Sequence, residues 1–207
     1  METTKPDYSA PASADELEAL AQRLRERNFE VIIVQDGEEA KAEVLRRIPD
    51  GATVNSGKSK TLEDAGLFTA MMESDRFDFV RKRTSKMDRT THGDEIRRIW
   101  ASPDVMVNSA HAVTEAGQIV ITSASGSQIG PVASGAGKLI LVIGSQKIVP
   151  DLDAAFRRIK EQVFPYEDAR LRETMGVPTR ITRTLILDED YRPGRTTIIL
   201  VREPIGV

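Results

Sequence analysis

A stretch of polar side chains followed by a glycine lies between two apolar runs near the middle of the chain, at residues 108–117. The flanking runs are rich in β-branched residues, so each predicts a short strand. In open α/β sheets, ligands bind beyond the carboxyl ends of such strands. The stretch therefore offers Glu115 as a catalytic carboxylate, and Asn108 and His111 as ligand contacts. An exposed loop carboxylate and a loop histidine would explain the same residues, and that interpretation stays open.

A Gly/Ser-rich loop follows an earlier predicted strand and precedes a predicted helix. It consists of Asn55, Ser56, Gly57, Lys58 and Ser59. Backbone N–H groups at such a turn can cradle a carboxylate or phosphate, and Lys58 adds a positive charge. The glycine spacing is not that of a Walker motif. A tight turn in which Ser59 or Thr61 caps the next helix is the alternative, so both interpretations stay open.

A second Gly/Ser loop, residues 123–130, also follows a predicted strand and opens a short helix. Its Gly126 and Ser127 are candidate N–H donors at the same edge of the sheet. If these donors lie beside Glu115, the site combines a carboxylate with oxyanion-type donors, which suits acyl or carboxylate chemistry. A glycine that allows close packing of helix and sheet is the alternative.

An aliphatic run at residues 139–143 predicts a central buried strand. Gly144 then lets the backbone turn, and Lys147 follows at the carboxyl end of the strand as a candidate contact for an anion. All the loops considered so far follow strands in an α/β order, so we expect them to converge at one edge of the sheet. They are residues 55–59, 108–115, 126–127 and 145–147.

A strongly basic segment lies between the third predicted strand and the next helix. Its members are Arg81, Lys82, Arg83, Lys86 and Arg89. A solvated loop is the ordinary explanation for such a run. The functional alternative is a mobile flap that brings positive charge to an anionic substrate. Trp100, in the following helix, is expected in the core or at a subunit contact.

Composition narrows the classes of function. The chain has 207 residues and a formal net charge of -3, which fits one soluble domain and argues against a nucleic-acid partner. No apolar stretch reaches the roughly 20 residues of a membrane span, and no signal-peptide core is present, so we expect a cytoplasmic protein. The chain contains no cysteine. It can therefore form no disulfide and give no thiolate to an iron–sulfur cluster, and we expect no bound metal.

Strands and helices alternate along most of the sequence, which predicts an α/β fold with a mainly parallel sheet sandwiched by helices. We expect a flexible tail over residues 1–14 and a single domain over residues 15–207. Two late strands, 182–187 and 196–201, are joined by a turn-rich connection and predict a hairpin on the edge of the sheet. Residues 166–177 are predicted to form a polar connection that swings over the site or contacts another subunit.

Four segments carry recognisable motifs in a fixed order. They are residues 54–67, 114–117, 142–152 and 193–201. The motifs are a strand with a Gly/Ser loop and a Thr-Leu-Glu helix start, a Thr-Glu-x-Gly turn, a Val-Gly-x-x-Lys-Ile-Val-Pro-Asp-Leu segment, and a closing strand. This succession resembles LUD-domain proteins of the lactate-utilization (LutC/YkgG) type over residues 16–207. The chain departs from many members by lacking a cysteine before the closing strands, and residues 125–128 replace a Gly-Ser-Gly-Asn pattern.

The resemblance implies the three-layer α/β/α fold of the NagB/RpiA/CoA-transferase-like superfamily. It also implies, as the leading function, a non-redox subunit or accessory protein in the oxidation of lactate to pyruvate. The partners would be iron–sulfur or flavin proteins. The chain itself would bind no cofactor.

Two other functions stay open. Related CoA transferases use the glutamate of a Glu-x-Gly turn as the acyl-accepting nucleophile, and Glu115 stands in a similar turn. In such a stand-alone enzyme, Gly126 and Ser127 would be oxyanion donors, and the anion would be held by Lys58 or Lys147. The third function is a regulatory domain that binds a small carboxylate. The expected ligand is thus a small anion, either a CoA thioester or a carboxylate, and formation of a homo-oligomer stays open.

Overall fold

The computed structural model describes residues 6–207 of the chain. The helices are α1 (Ala14–Glu26), α2 (Gly37–Arg47), α3 (Lys60–Asp64), α4 (Leu67–Glu73), α5 (Val80–Thr84), α6 (Gly93–Ala101), α7 (Leu152–Arg158) and α8 (Phe164–Met175). The strands are β1 (Glu30–Val34), β2 (Thr53–Ser56), β3 (Asp78–Phe79), β4 (Val105–Asn108), β5 (Ala112–Thr114), β6 (Ile119–Ser123), β7 (Lys138–Gly144), β8 (Ile148–Val149), β9 (Arg183–Leu187) and β10 (Thr196–Val201). Pro131–Gly135 and Ile159–Val163 are π-helical, and Ser145–Lys147 forms a 3-10 turn. Within residues 6–207, no helix has both the length and the apolar character that crossing a bilayer requires.

Six strands form one parallel sheet in the order β1-β10-β7-β4-β2-β3. The central strands β10 and β7 are rich in aliphatic residues and buried on both faces, as expected of a covered parallel sheet. The register pairs Asn108 with Leu141 and Val201 with Gly144, so the strands end at the same edge. We call it the carboxyl edge. The predicted α/β fold with a mainly parallel sheet is confirmed.

Each face of the parallel sheet packs against a different layer. On one face, Val44 of α2, Leu62 of α3 and Met71 of α4 join the sheet in one apolar core. On the other face, Leu20 of α1 and Ile121 of β6 belong to a second core. A small second sheet therefore shares this face with α1.

The second sheet has the strand order β8-β5-β6-β9. β5 is parallel to β8, whereas β6 is antiparallel to both β5 and β9. Its outer face packs against α7 and the π-helical segment that follows, where Val120, Ala155 and Ile159 form a third core. The second sheet is thus buried between the parallel sheet and this helical layer.

The predicted hairpin at the end of the chain is wrong. β9 pairs with β6 at the edge of the second sheet, and β10 lies between β1 and β7 inside the parallel sheet. All six residues of β10 are buried, whereas Arg183 and Thr184 of β9 are exposed. A strand buried on both faces needs two neighbours, so β10 enters the sheet and the connection before it crosses between the sheets.

Two other segments differ from their expected form. Residues 166–177, predicted as a polar connection, are mostly helical and belong to α8, none of whose side chains is fully buried. Of the predicted tail, residues 1–5 lie outside the described residues. Tyr8 donates a hydrogen bond from its hydroxyl group to Glu161 at 2.9 Å. Flexibility of the tail stays a prediction.

The basic segment is partly helical rather than a plain solvated loop. Its Lys82 and Arg83 form ion pairs with nearby aspartates. The guanidinium groups of Arg81 and Arg89 lie 4.9 Å and 5.7 Å from the centroid of the Trp100 ring. Burial, and then Arg89, lowers the pKa of Arg81 to about 10. Trp100 is therefore a half-buried platform for two cations rather than a core residue.

Replacing Leu141 with alanine should test the central role of β7. Leu141 is fully buried between β10 and β4, so the cavity left by Leu141→Ala should lower the free energy of unfolding by about 2–5 kcal/mol. Urea denaturation monitored by circular dichroism measures this. Tyr191→Ala is the control because Tyr191 is 91% exposed, and it should change stability by less than about 0.5 kcal/mol. Equal effects of the two variants would contradict the assignment.

Candidate functional site

The loops after β2, β4 and β7 meet at the carboxyl edge around a cavity of about 40 Å³. The β2–α3 loop and the start of α3 provide Lys58, Ser59, Lys60 and Thr61. The segment after β4 provides Asn108, Ser109, Ala110 and His111. Gln128, Lys147, Val163, Glu167 and Val207 complete the wall. The predicted convergence of these loops is therefore confirmed for β2, β4 and β7.

Lys147 is the most buried charged group of the cavity wall, with an exposed fraction of 2%. Its Nζ donates hydrogen bonds to Thr61 Oγ1 at 2.6 Å, Ser109 Oγ at 3.1 Å and the carbonyl oxygen of Ala110 at 3.1 Å. All three partners are uncharged, and none of the ion pairs found within residues 6–207 includes Lys147. Burial, together with Arg158, lowers the pKa of Lys147 to about 7, although Asp64 opposes the shift.

His111 is held by three hydrogen bonds, one of which runs from its backbone N–H to the carbonyl oxygen of Val120 at 2.9 Å. Its Nδ1 accepts from the backbone N–H of Thr122 at 3.0 Å, and its carbonyl oxygen accepts from Arg158 Nη1 at 2.6 Å. Burial, followed by the charges of Lys147 and Arg158, lowers the pKa of His111 to about 3. The imidazole is therefore neutral at physiological pH. Because Nδ1 accepts, its proton lies on Nε2.

Asn108 brings an unused donor to the cavity. Its side chain is 3% exposed, and its Nδ2 has no hydrogen-bond partner in the structure. Leaving a buried donor unpaired costs about 1–3 kcal/mol, so a ligand that offers an acceptor here gains that energy. A carboxylate is such a ligand, since it only accepts hydrogen bonds.

The other charged groups of the wall are mostly paired. Lys60 forms an ion pair with Asp64, and Glu167 pairs with Arg170 at 2.6 Å. Lys58 is exposed at the mouth, and no ion pair within residues 6–207 involves it. The cavity therefore keeps Lys58 and Lys147 without a carboxylate partner. Its electrostatic character favours an anion.

Some predicted residues support the cavity without lining it. Asn55 donates from Nδ2 to the carbonyl oxygen of Trp100 at 3.3 Å, and Ser56 Oγ is buried without a partner. A Cβ atom added to Gly57 would lie 2.3 Å from Asn108 Oδ1, so Gly57 lets the loop approach Asn108. Gly144 allows a similarly close approach of the chain around Ile205.

Gly126 and Ser127 precede the cavity residue Gln128 in the β6 loop. Gly126 has a positive φ of 79°, and its N–H donates to Ser123 Oγ at 2.9 Å. Ser127 is exposed, and its Oγ accepts from Ser125 Oγ. Neither residue lines the cavity, and the loop contributes Gln128 instead, whose Nε2 donates to the carbonyl oxygen of Thr122 at 3.1 Å.

The predicted convergence is wrong for Glu115. This residue is exposed in the turn between β5 and β6, and its carbonyl oxygen accepts from Arg23 of α1 at 2.6 Å. The same turn packs Gly117 against Arg27, at the end of α1 that leads into β1. β5 belongs to the second sheet and carries Glu115 away from the carboxyl edge. A nucleophilic role for Glu115 stays a prediction, and it has no part in this cavity.

Several cavity residues were not predicted as contacts. Thr61 was considered only as a helix cap, and Ser109 directly follows Asn108 in a stretch already recognised as polar. Val163 and Glu167 reach the wall through the π-helical turn and the start of α8. Residues 166–177 were expected to swing over the site or to contact another subunit, and Glu167 of that segment does line the cavity. The polar stretch could have revealed Ser109, but not the helical wall.

Comparisons with known proteins agree with this architecture. The sequence model of the LUD domain matches residues 17–201, which is most of the chain. The chain belongs to the LUD-domain family. No curated protein matches the sequence.

Solved structures that are similar to the chain include the following three. A DUF162 family protein from Deinococcus radiodurans is 13% identical, with a TM-score of 0.53 over 92% of this chain and 99% of that chain. Ribose 5-phosphate isomerase A from Neisseria gonorrhoeae is 17% identical, with a TM-score of 0.32 over 69% and 57% of the two chains. eIF2B beta from Chaetomium thermophilum is 15% identical, with a TM-score of 0.34 over 66% and 43%. The first similarity supports the fold.

Replacing Gly57 with alanine should displace side chains of the cavity wall and lower the stability of the protein. In Gly57→Ala the new Cβ would lie 2.3 Å from Asn108 Oδ1 and 2.8 Å from Gln128 Oε1, so both side chains must move. We expect a loss of about 1–3 kcal/mol in the free energy of unfolding, measured by chemical denaturation. Gly93→Ala is the matched control, since its Cβ meets nothing within 4 Å. A Gly57→Ala protein as stable as this control would contradict the close approach.

The buried amine of Lys147 should make stability depend on pH. Its folded pKa is about 7 and its ordinary value is 10.5, so between these values the unfolded chain binds more protons and stability rises with pH. From pH 7 to pH 9, unfolding free energy should increase by about 2 kcal/mol more in the natural protein than in Lys147→Met. Denaturation curves at each pH measure this difference. Lys138→Met should show the same pH dependence of stability as the natural protein. If Lys147→Met also shows that pH dependence, the lowered pKa of Lys147 is refuted.

Proposed function

We propose that the chain binds the carboxylate group of a small organic acid at the carboxyl edge, and that it serves as a non-redox accessory protein in the oxidation of lactate to pyruvate. One observation carries the binding proposal. The buried Lys147 and the unpaired amide of Asn108 line the same small cavity, and neither has a carboxylate partner within residues 6–207.

The size of the cavity limits the ligand. With about 40 Å³ of accessible space, the cavity suits a carboxylate and the carbon next to it. Larger parts of a ligand would have to extend past Lys58 towards solvent. A short 2-hydroxy or 2-oxo acid meets this limit better than a bulky acyl group does.

The place in lactate oxidation is supported by the family and by the residues available for redox chemistry. The LUD-domain match covers most of the chain. These 207 residues contain no cysteine, so they supply no thiolate ligand for an iron–sulfur cluster. We therefore assign electron transfer to iron–sulfur or flavin partners, and binding of the acid to this chain.

The transferase alternative gains no support from the cavity. Its nucleophile, Glu115, lies in an exposed turn, whereas the anion-binding groups lie at the carboxyl edge. A regulatory domain without turnover would use the same cavity. Binding alone does not separate an accessory protein from a regulator. The test is lactate-dependent dye reduction by the partner proteins, measured with and without this chain.

Isothermal titration calorimetry with pyruvate, lactate and acetate tests the binding site. Lys147→Met and Asn108→Leu should each weaken binding by about tenfold or more, since the first removes the buried amine of the cavity wall and the second removes its unpaired amide donor. Lys138→Met is the matched control, because Lys138 begins the same strand β7 at the opposite edge. It should bind as the natural protein does.

Two results would contradict the proposal. Unchanged affinity in both cavity variants would place the ligand elsewhere. An acyl adduct on Glu115, trapped with hydroxylamine after incubation with acyl-CoA, would favour the transferase instead. Circular dichroism spectra of all variants must match, so that lost binding reports on the site rather than on folding.

A further inference from the structure

We infer that Lys147 is a covalent site for 2-oxo acids: its Nζ condenses with the carbonyl carbon of an acid held in the cavity and forms a reversible imine. The inference rests on the proposed function, because the carboxylate of the acid must first bind beside Asn108. It adds a chemical step that distinguishes a 2-oxo acid from the corresponding 2-hydroxy acid.

The surroundings of Nζ are those of an amine rather than of a permanent ammonium ion. A buried ammonium is normally compensated by a carboxylate, but the partners of Lys147 are two hydroxyl groups and a carbonyl oxygen. The carbonyl of Ala110 can only accept, whereas the hydroxyls of Thr61 and Ser109 can donate or accept. A neutral amine can therefore keep all three hydrogen bonds by accepting one of them.

Nearby charges favour the same state. Arg158 is fully buried, and its Nε and Nη2 have no hydrogen-bond partner. Its charge and the burial of Lys147 lower the pKa of the amine to about 7, while Asp64 opposes this shift. His111 stays neutral because its own pKa is lowered to about 3. Much of the Lys147 population is thus a free amine at neutral pH, as a nucleophilic lysine requires.

The remaining titratable groups of the wall leave Lys147 available. Lys60 is paired with Asp64, and Glu167 with Arg170. Lys58 lies at the mouth and can attract the carboxylate of an entering acid. No acidic side chain of residues 6–207 therefore lies within ion-pair distance of Nζ to hold it as an ammonium ion.

The small cavity sets the position of the reacting atoms. Asn108 and Lys147 line the same cavity of about 40 Å³, so a carboxylate that accepts from Asn108 Nδ2 brings the adjacent C2 carbon into the space that Lys147 also lines. In a 2-oxo acid this carbon is a carbonyl and can be attacked. In a 2-hydroxy acid it is a saturated alcohol carbon, and no condensation is available.

The step balances without any further reactant. The lone pair of Nζ attacks C2, the electrons of the C=O double bond move to oxygen, and that oxygen receives a proton from Nζ. The hydroxyl groups of Ser109 and Thr61, at 3.1 Å and 2.6 Å from Nζ, are placed to relay this proton. The carbinolamine then loses its hydroxyl group and the remaining N–H proton as water, leaving a C=N bond. Nothing is oxidised or reduced.

Reductive trapping tests the inference. The natural protein is incubated with pyruvate and sodium cyanoborohydride, and the adduct is located by peptide mass analysis. We expect about tenfold or more labelling of Lys147 relative to exposed Lys138, because burial lowers the pKa of Lys147 to about 7 and a large share of this amine is then neutral at pH 7. Lactate in place of pyruvate should give no adduct. Lys147→Arg should lose the site-specific label but keep a positive charge, and Lys138→Met should label Lys147 normally.

Calorimetry on the same samples separates this inference from the proposed function. Pyruvate binding without preferential labelling of Lys147 would overturn the imine and leave the carboxylate site intact. Absence of both binding and label would overturn both proposals. Equal labelling of Lys147 and the exposed lysines would also overturn the inference, because it would show an ordinary surface reaction. If Lys147→Arg still binds pyruvate, the variant is folded, and the absence of label then reflects the absence of a reactive amine.

Discussion

The parallel hydrogen-bond ladder of the large sheet is the constraint on which the site depends. Because its strands run in one direction, the loops after β2, β4 and β7 must emerge at the same edge. The register, which pairs Ser56 with Val107 and Asn108 with Leu141, also sets the relative heights of these loops. Because β10 lies in the centre of the sheet, the segment that follows it packs Gly206 against Thr61. Thr61 is one of the hydrogen-bond partners of Lys147. The cavity is a consequence of strand order.

The site places positive charge in surroundings that do not favour it. Lys147 and Arg158 are both buried, and neither has an ion-pair partner within residues 6–207. Burial of an uncompensated charge is costly, and a protein responds by losing the proton or by binding an anion. An apolar core on each side of the parallel sheet provides the stability that tolerates this cost. Departures from ordinary packing rules of this kind are expected at functional sites.

Local patterns predicted much of the fold and part of the site. Aliphatic runs indicated the buried strands, and the polar or glycine-rich loops after them indicated Lys58, Asn108, His111 and Lys147 as cavity residues. The partners of β9 and β10 were not predictable in this way. Two consecutive strands joined by a turn have the sequence pattern of a hairpin even when, as here, they enter different sheets. The decisive property was burial on both faces of β10, which depends on its neighbours in space.

The sequence by itself determined the α/β alternation, the aliphatic strands and the residue types available for anion chemistry, because these depend on local spacing and composition. Tertiary structure decided which of those residues meet. It placed Lys147 beside Thr61, 86 positions earlier in the chain, and it placed Glu115 in a second sheet that leads away from the cavity. The pKa of a lysine and the availability of an amide donor depend on burial and on neighbouring charges. Those properties arise only when strand pairing brings distant segments together.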